Sequence, residues 1–83
     1  MDDDLVKYVK RSGYRTRTLK TIGTSVKMPK EIAEESDILL NHISTVLSDL
    51  KGKGIIECLN PTARKGRLYR ITEDSLYILN KLD

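Results

Sequence analysis

The segment NPTARKGRLYRIT (60–72) carries Arg64, Lys65, Arg67 and Arg70 and no carboxylate. An ordinary hairpin tip mixes signs, so four unopposed cations point to an anionic partner. A second basic run lies upstream. From Leu5 to Lys30 there are eight basic residues (Lys7, Lys10, Arg11, Arg15, Arg17, Lys20, Lys27 and Lys30) and no acid. The acids gather at Asp2 to Asp4 and between Glu31 and Asp37. Segregation of this kind suits a polyanion such as nucleic acid or an anionic membrane. The alternative is a solvated basic face.

Other chemistry has little to work with. His42 and Cys58 are the single residues of their types, and the spacing places them on different elements. No nucleophile motif accompanies either. The Gly52-Lys53-Gly54 triplet lacks the G-x-x-x-x-G-K-[ST] spacing of a phosphate loop and reads as a helix stop. The expectation is therefore no enzyme, no metal site and no cofactor. Cys58, alone in a strand-like run, reads as a small buried hydrophobe. The chain shows neither a signal peptide nor an apolar run long enough to span a bilayer, which predicts a cytoplasmic protein.

These groups must be positioned by a small frame. Eighty-three residues, 39% hydrophobic and 33% charged, predict one domain over 1–83. With four tyrosines and no Phe or Trp, the core must be Ile, Leu and Val. A core this thin is often supplemented by dimerisation.

Along the chain, DDDLVKYVKR places Leu5, Val6 and Val9 on one helical stripe, with acids in the first turn where the helix dipole favours them. Ser12 is a candidate cap for a second helix carrying Tyr14, Thr18, Leu19 and Ile22, ended by Gly23-Thr24-Ser25. MPKEIAEES has Pro29 at the first helical position and Ile32 and Ala33 facing inward. Met28 is a poor cap, predicting a frayed start. A helix over 38–50 follows, with Ile43, Val46, Leu47 and Leu50 on its core side. IIECL (55–59) and RLYRIT (67–72) flank a loop punctuated by Asn60-Pro61 and Gly66, a hairpin with Leu68 and Ile71 as its apolar positions. Leu76, Leu79 and Leu82 share a face of a last helix, with Thr72 as its cap.

A short helix, a turn and a second helix, followed directly by a basic hairpin, make a winged helix-turn-helix: an α+β fold with a three-helix core, a two-stranded β-wing and flanking terminal helices. The helix-turn-helix falls at about 29–53, the wing at about 55–72 and the C-terminal helix at about 73–82.

LNHISTVLSDLKGKGIIECLNPTARKGRLYRIT resembles the archaeal winged-helix transcriptional regulators of ArsR/MarR-like kind, in its N-H-(apolar)-S recognition helix, its K-G-(apolar)-(apolar) exit and its K-G-R-L-Y wing. The resemblance covers roughly residues 12–82. It implies sequence-specific binding of double-stranded DNA, usually as a homodimer, and regulation of transcription in the nucleoid. The chain departs from ArsR-type metal sensors, which carry Cys or His ligand pairs. It departs from MarR-type proteins in its short terminal helices, so no small-molecule effector is expected.

On that reading Asn41, His42, Ser44, Thr45 and Ser48 face the major groove. An amide suits adenine, a histidine a guanine acceptor or a phosphate, and a threonine methyl suits thymine. Arg64, Lys65 and Arg67 of the wing reach flanking phosphates or the minor groove. Lys27, Lys30, Arg15 and Arg17 extend the backbone footprint. Arg70, inside the strand, has Glu57 as an alternative partner. His42 has the alternative of a surface histidine without a role, and Asn41 that of a turn or capping amide. Tyr69 is read as a structural ring on the sheet. The competing function is a protein-interaction winged helix, a subunit of a transcription or processing complex without DNA contact. Structured RNA ranks last, because A-form helices hide their major groove.

Overall fold

A computed structural model describes residues 3–82 of the chain. In order these form α1 (Asp3–Lys10), α2 (Gly13–Ile22), α3 (Pro29–Ser36), α4 (Leu40–Gly52), β1 (Ile56–Cys58), β2 (Tyr69–Ile71) and a 3-10 helix, η1 (Glu73–Lys81). α3 and α4 are the helix-turn-helix, and β1 and β2 are the stem of the wing. Of the acids expected in the first turn of α1, Asp2 lies outside the described residues, as does Met1.

Local chemistry sets most boundaries. The N-terminal helices are separate: Ser12 occupies the cap of α2, and its hydroxyl accepts from the Arg15 N–H at 3.2 Å. α3 ends at Asp37, whose backbone is left-handed (φ 59°), so that its N–H returns to the Ala33 carbonyl. The Ile38 N–H bonds the same carbonyl at 3.1 Å while its side chain is buried. Ile38 and Leu39 therefore belong to the turn, and α4 starts two residues later than spacing predicted.

The start of α3 is not frayed. Glu31 Oε1 accepts from the Met28 N–H at 2.8 Å, a carboxylate substituting for the missing cap side chain. One residue earlier, Lys27 exchanges both backbone hydrogen bonds with Tyr69, at 3.0 and 2.9 Å. Residue 27 thus pairs with the second wing strand and fixes the helix-turn-helix to the wing.

β1 and β2 are antiparallel, pairing Ile56 with Ile71, Glu57 with Arg70 and Cys58 with Tyr69. The inward positions of β2 are Tyr69 and Ile71 in strict alternation. Leu68, expected with Ile71 as an apolar position of the strand, is only partly covered. Cys58 is half-buried rather than fully enclosed.

The core gathers Ile43, Val46, Leu47 and Leu50 of α4 against Val9, Leu19, Ile22, Ile32, Ile55, Ile56, Ile71 and Ile78. Each fully buried aliphatic contributes about 1.5–3 kcal/mol relative to exposure, so this cluster dominates the stability.

The C-terminal element differs from the expected α-helix. Thr72 occupies its N-cap position, but the Thr72 hydroxyl makes no capping bond and instead bonds the carbonyls of Gly54 and Ile55 at 3.1 and 3.3 Å. Ser75 Oγ also reaches the Gly54 carbonyl, at 3.4 Å. Tied to the start of β1, the segment winds with three residues per turn. Its buried line becomes Ser75, Ile78 and Leu82, leaving Leu76 and Leu79 half-covered.

Candidate nucleic-acid interface

α4 is amphipathic in the sense the interface needs. With Ile43, Val46, Leu47 and Leu50 inward, Asn41, Ser44, Thr45 and Ser48 are all exposed. Asn41, Thr45 and Ser48 lie opposite the core stripe at helical spacing. The Thr45 hydroxyl makes a long bond to the Asn41 carbonyl at 3.4 Å, one turn back. His42 stands on the other flank, its ring 5.3 Å from that of Tyr14 in α2. It is exposed, but it points toward α2 and away from the wing.

The wing loop is held by its own polar groups. Asn60 Oδ1 accepts from the Leu68 N–H at 2.8 Å, and Asn60 Nδ2 donates to the Gly66 carbonyl at 3.0 Å. Arg67 Nε donates to the Ala63 carbonyl at 2.8 Å, and the residue remains exposed. Gly66 has φ 67°, a value that favours a residue without Cβ. Arg64 and Lys65 are exposed and make no hydrogen bond or ion pair among the described residues.

Between α4 and this loop lies a cleft of about 370 Å³, lined by Ser44, Ser48 and Lys51 of α4, Arg64 and Arg67 of the wing, and Tyr69 of β2. No carboxylate is among its lining residues. Tyr69 is buried there, in keeping with a structural ring. The wing cations and the polar face of α4 thus meet across one basic hollow. Lys51 was passed over by the sequence reading; its signal was its place one turn beyond Ser48.

Several of the cations expected to contact the DNA backbone have partners within the chain. Arg17 donates to the carbonyls of Ser36 and Asp37, closing the C-terminal end of α3. Arg15 lies 3.8 Å over the Tyr8 ring and donates to the Tyr8 carbonyl at 2.7 Å. Lys27 pairs with Glu35 at 2.9 Å. Arg70 takes Glu57, at 2.7 Å directly across the ladder. Lys30 is exposed and, among the described residues, unpaired. Lys30, Lys51, Arg64, Lys65 and Arg67 are thus exposed on α3, α4 and the wing, with Lys51, Arg64 and Arg67 meeting at the cleft; Lys7, Lys10 and Arg11 are exposed at the N-terminal end.

Leu39 and Leu40 were also missed. They are 69% and 50% exposed, the two most exposed large apolar side chains among the described residues. Leu40 shares a helical row with Ser44, Ser48 and Lys51, at four, eight and eleven residues on. Spacing alone would group both leucines with the core, since they stand four and three residues before Ile43.

Among the described residues no group of His, Cys, Asp and Glu is arranged to hold a metal ion, and no helix is long and apolar enough to cross a membrane.

No protein-family model matches the chain, and no curated protein is similar to it in sequence. Solved structures do resemble it. A homodimeric winged helix-turn-helix DNA-binding domain from Mycobacterium bovis, a possible ArsR-family transcriptional regulator, superposes with a TM-score of 0.73 at 25% identity, over 93% of this chain and 70% of that fragment. A MarR family regulator from Neisseria meningitidis gives 0.75 at 24% identity, over 96% of this chain and 60% of its own. NadR, solved in complex with 4-hydroxyphenylacetate, gives 0.72 at 13% identity, over 98% and 64%. The chain spans less than two thirds of the length of the last two. The winged helix-turn-helix is thereby a fold this chain shares with transcriptional regulators of the MarR and ArsR families.

Proposed function

We propose that this domain is a sequence-specific, double-stranded DNA-binding transcriptional regulator of ArsR/MarR-like kind. The observation that carries this reading is the carboxylate-free cleft in which Ser44, Ser48 and Lys51 of α4 face Arg64 and Arg67 of the wing. α4 enters the major groove with Asn41, Ser44, Thr45 and Ser48 toward the base edges and His42 at its margin. The short serines let the DNA backbone approach the cleft. Lys30, Lys51, Arg64, Lys65 and Arg67 neutralise flanking phosphates, or place wing cations in the minor groove, and so fix the register in which α4 reads. Arg15, Arg17 and Lys27 support the frame.

The functional unit we propose is a homodimer, acting on the nucleoid in the cytoplasm. Leu5, Val6 and Tyr8 of α1 and Leu76, Tyr77 and Leu79 of η1 are only partly covered by this chain's core. α1 and η1 also pack on each other, which brings the two partly covered sets together. A second copy covering it would present two α4 helices to half-sites related by a two-fold axis.

The test is affinity for a random-sequence duplex of about 30 base pairs across a salt series. A log–log slope near −4.5 per protomer, from about five neutralised phosphates each, is the expected result. A flat and weak response would refute the reading and favour a protein-binding winged helix.

A further inference from the structure

We infer that Leu39 and Leu40 read thymine methyl groups, so that the preferred duplex carries thymines at the position reached by the first turn of α4. The inference rests on the DNA-binding reading above and adds the base class that this turn selects.

Leu39 occupies the position before the first helical residue, and Leu40 is that residue. Neither is covered by the fold, whereas Ile43, Val46, Leu47 and Leu50 on the same helix are enclosed. A single exposed leucine needs no explanation. Two adjacent ones at the start of α4, with Leu40 leading the row that lines the basic cleft, are placed where a helix-turn-helix brings its recognition helix to base edges. In the major groove thymine alone of the four bases presents a methyl group, and apolar side chains read it by contact.

The surroundings favour this occupant over a protein. Leu39 and Leu40 are followed at once by the exposed polar residues Asn41 and His42, and the row of Leu40 runs on through Ser44 and Ser48 to Lys51. A protein-docking patch would extend as contiguous apolar surface. Here the exposed apolar pair gives way at once to Asn41, Ser44 and Ser48, and the row of Leu40 ends at Lys51 on the carboxylate-free cleft. That combination matches a duplex with methyls in its groove and phosphates along its edge.

The test begins with selection of a preferred duplex from a random pool, followed by replacement of each thymine with deoxyuridine in turn. Uracil pairs as thymine does and lacks only the 5-methyl. Removing one contacted methyl should weaken binding about fourfold, the worth of burying one such group. One or two thymines should respond and the rest stay neutral. Leu39→Ser and Leu40→Ser should abolish that thymine–uracil difference while leaving affinity for a scrambled duplex unchanged. Both side chains are exposed, so folding is not at stake; a thermal melt confirms it. A selected duplex with no sensitive thymine, or variants that keep the difference, would overturn the inference and leave the DNA-binding reading standing. Failure to bind or select any duplex would overturn both.

Discussion

Asn60 and Leu68 close the wing on itself: the Asn60 side-chain oxygen accepts the Leu68 N–H at 2.8 Å across eight residues, while its amide nitrogen holds the Gly66 carbonyl. One short amide fixes both sides of the loop that carries Arg64 and Lys65. Asn60→Ala should cost about 1 kcal/mol of stability, the net worth of such bonds. It should weaken duplex binding several-fold, because the loop must then be ordered on binding. Amide exchange over 60–68 should quicken while that of α4 does not. Unchanged exchange in the loop would show that the amide does not hold it.

Arg17 is an internal clamp in this fold, bonded to the carbonyls that end α3. Arg17→Ala is expected to destabilise by about 1 kcal/mol and to leave the salt dependence of duplex binding untouched. Lys30→Ala should do the reverse, lowering the salt slope by about one with little change in melting temperature. Paired denaturation and salt-series titrations decide it. A lowered slope for the Arg17 variant would place that guanidinium on a phosphate.

Thr18 is fully buried, and its hydroxyl has no hydrogen-bond partner among the described residues. Replacing that hydroxyl by a methyl removes a desolvated polar group without changing the shape much. Thr18→Val should therefore stabilise by about 1 kcal/mol, raising the melting temperature by roughly 4–8 °C. A fall in melting temperature would mean that the hydroxyl is satisfied in solution.

Asp37 holds a left-handed backbone at the turn between α3 and α4. Only glycine adopts that conformation without a Cβ penalty. Asp37→Gly should stabilise by about 0.5–1 kcal/mol, read from a urea transition with unchanged slope. Destabilisation would assign the Asp37 side chain a role at the turn beyond backbone geometry.

The partly covered side chains of α1 and η1 should be closed by a second copy. Sedimentation equilibrium at tens of micromolar is expected to give a dimer, and Leu79→Glu should return it to monomer. A monomeric native chain at those concentrations would refute the interface.

Much of the frame was legible because it is set by neighbours in sequence. The Ser12 cap, Pro29 at the start of α3, and Ile43, Val46, Leu47 and Leu50 at helical spacing are short-range rules, and the structure follows each. Glu57 was a visible alternative partner for Arg70, since cross-strand pairing follows once the hairpin is recognised. The ordered start of α3, the 3-10 winding of the C-terminal element and the half-covered Leu68 were not legible. Glu31, Tyr69, Gly54 and Ile55 supply or accept the bonds that decide them, and most of these lie far along the chain.

Which cations face outward was the largest undecided matter. By composition Arg15, Arg17 and Lys27 look the same as Lys30, Arg64 and Lys65. The sequence by itself determined a basic winged helix and the buried stripe of α4. Only the tertiary structure could turn Arg17 onto the end of α3, Arg15 onto Tyr8 and Lys27 onto Glu35, and leave Leu39 and Leu40 uncovered. The physical reason is reach. Caps and helical stripes are settled within one or two turns of chain, whereas a long cationic side chain takes whichever carbonyl, ring or carboxylate the fold brings within a few ångströms.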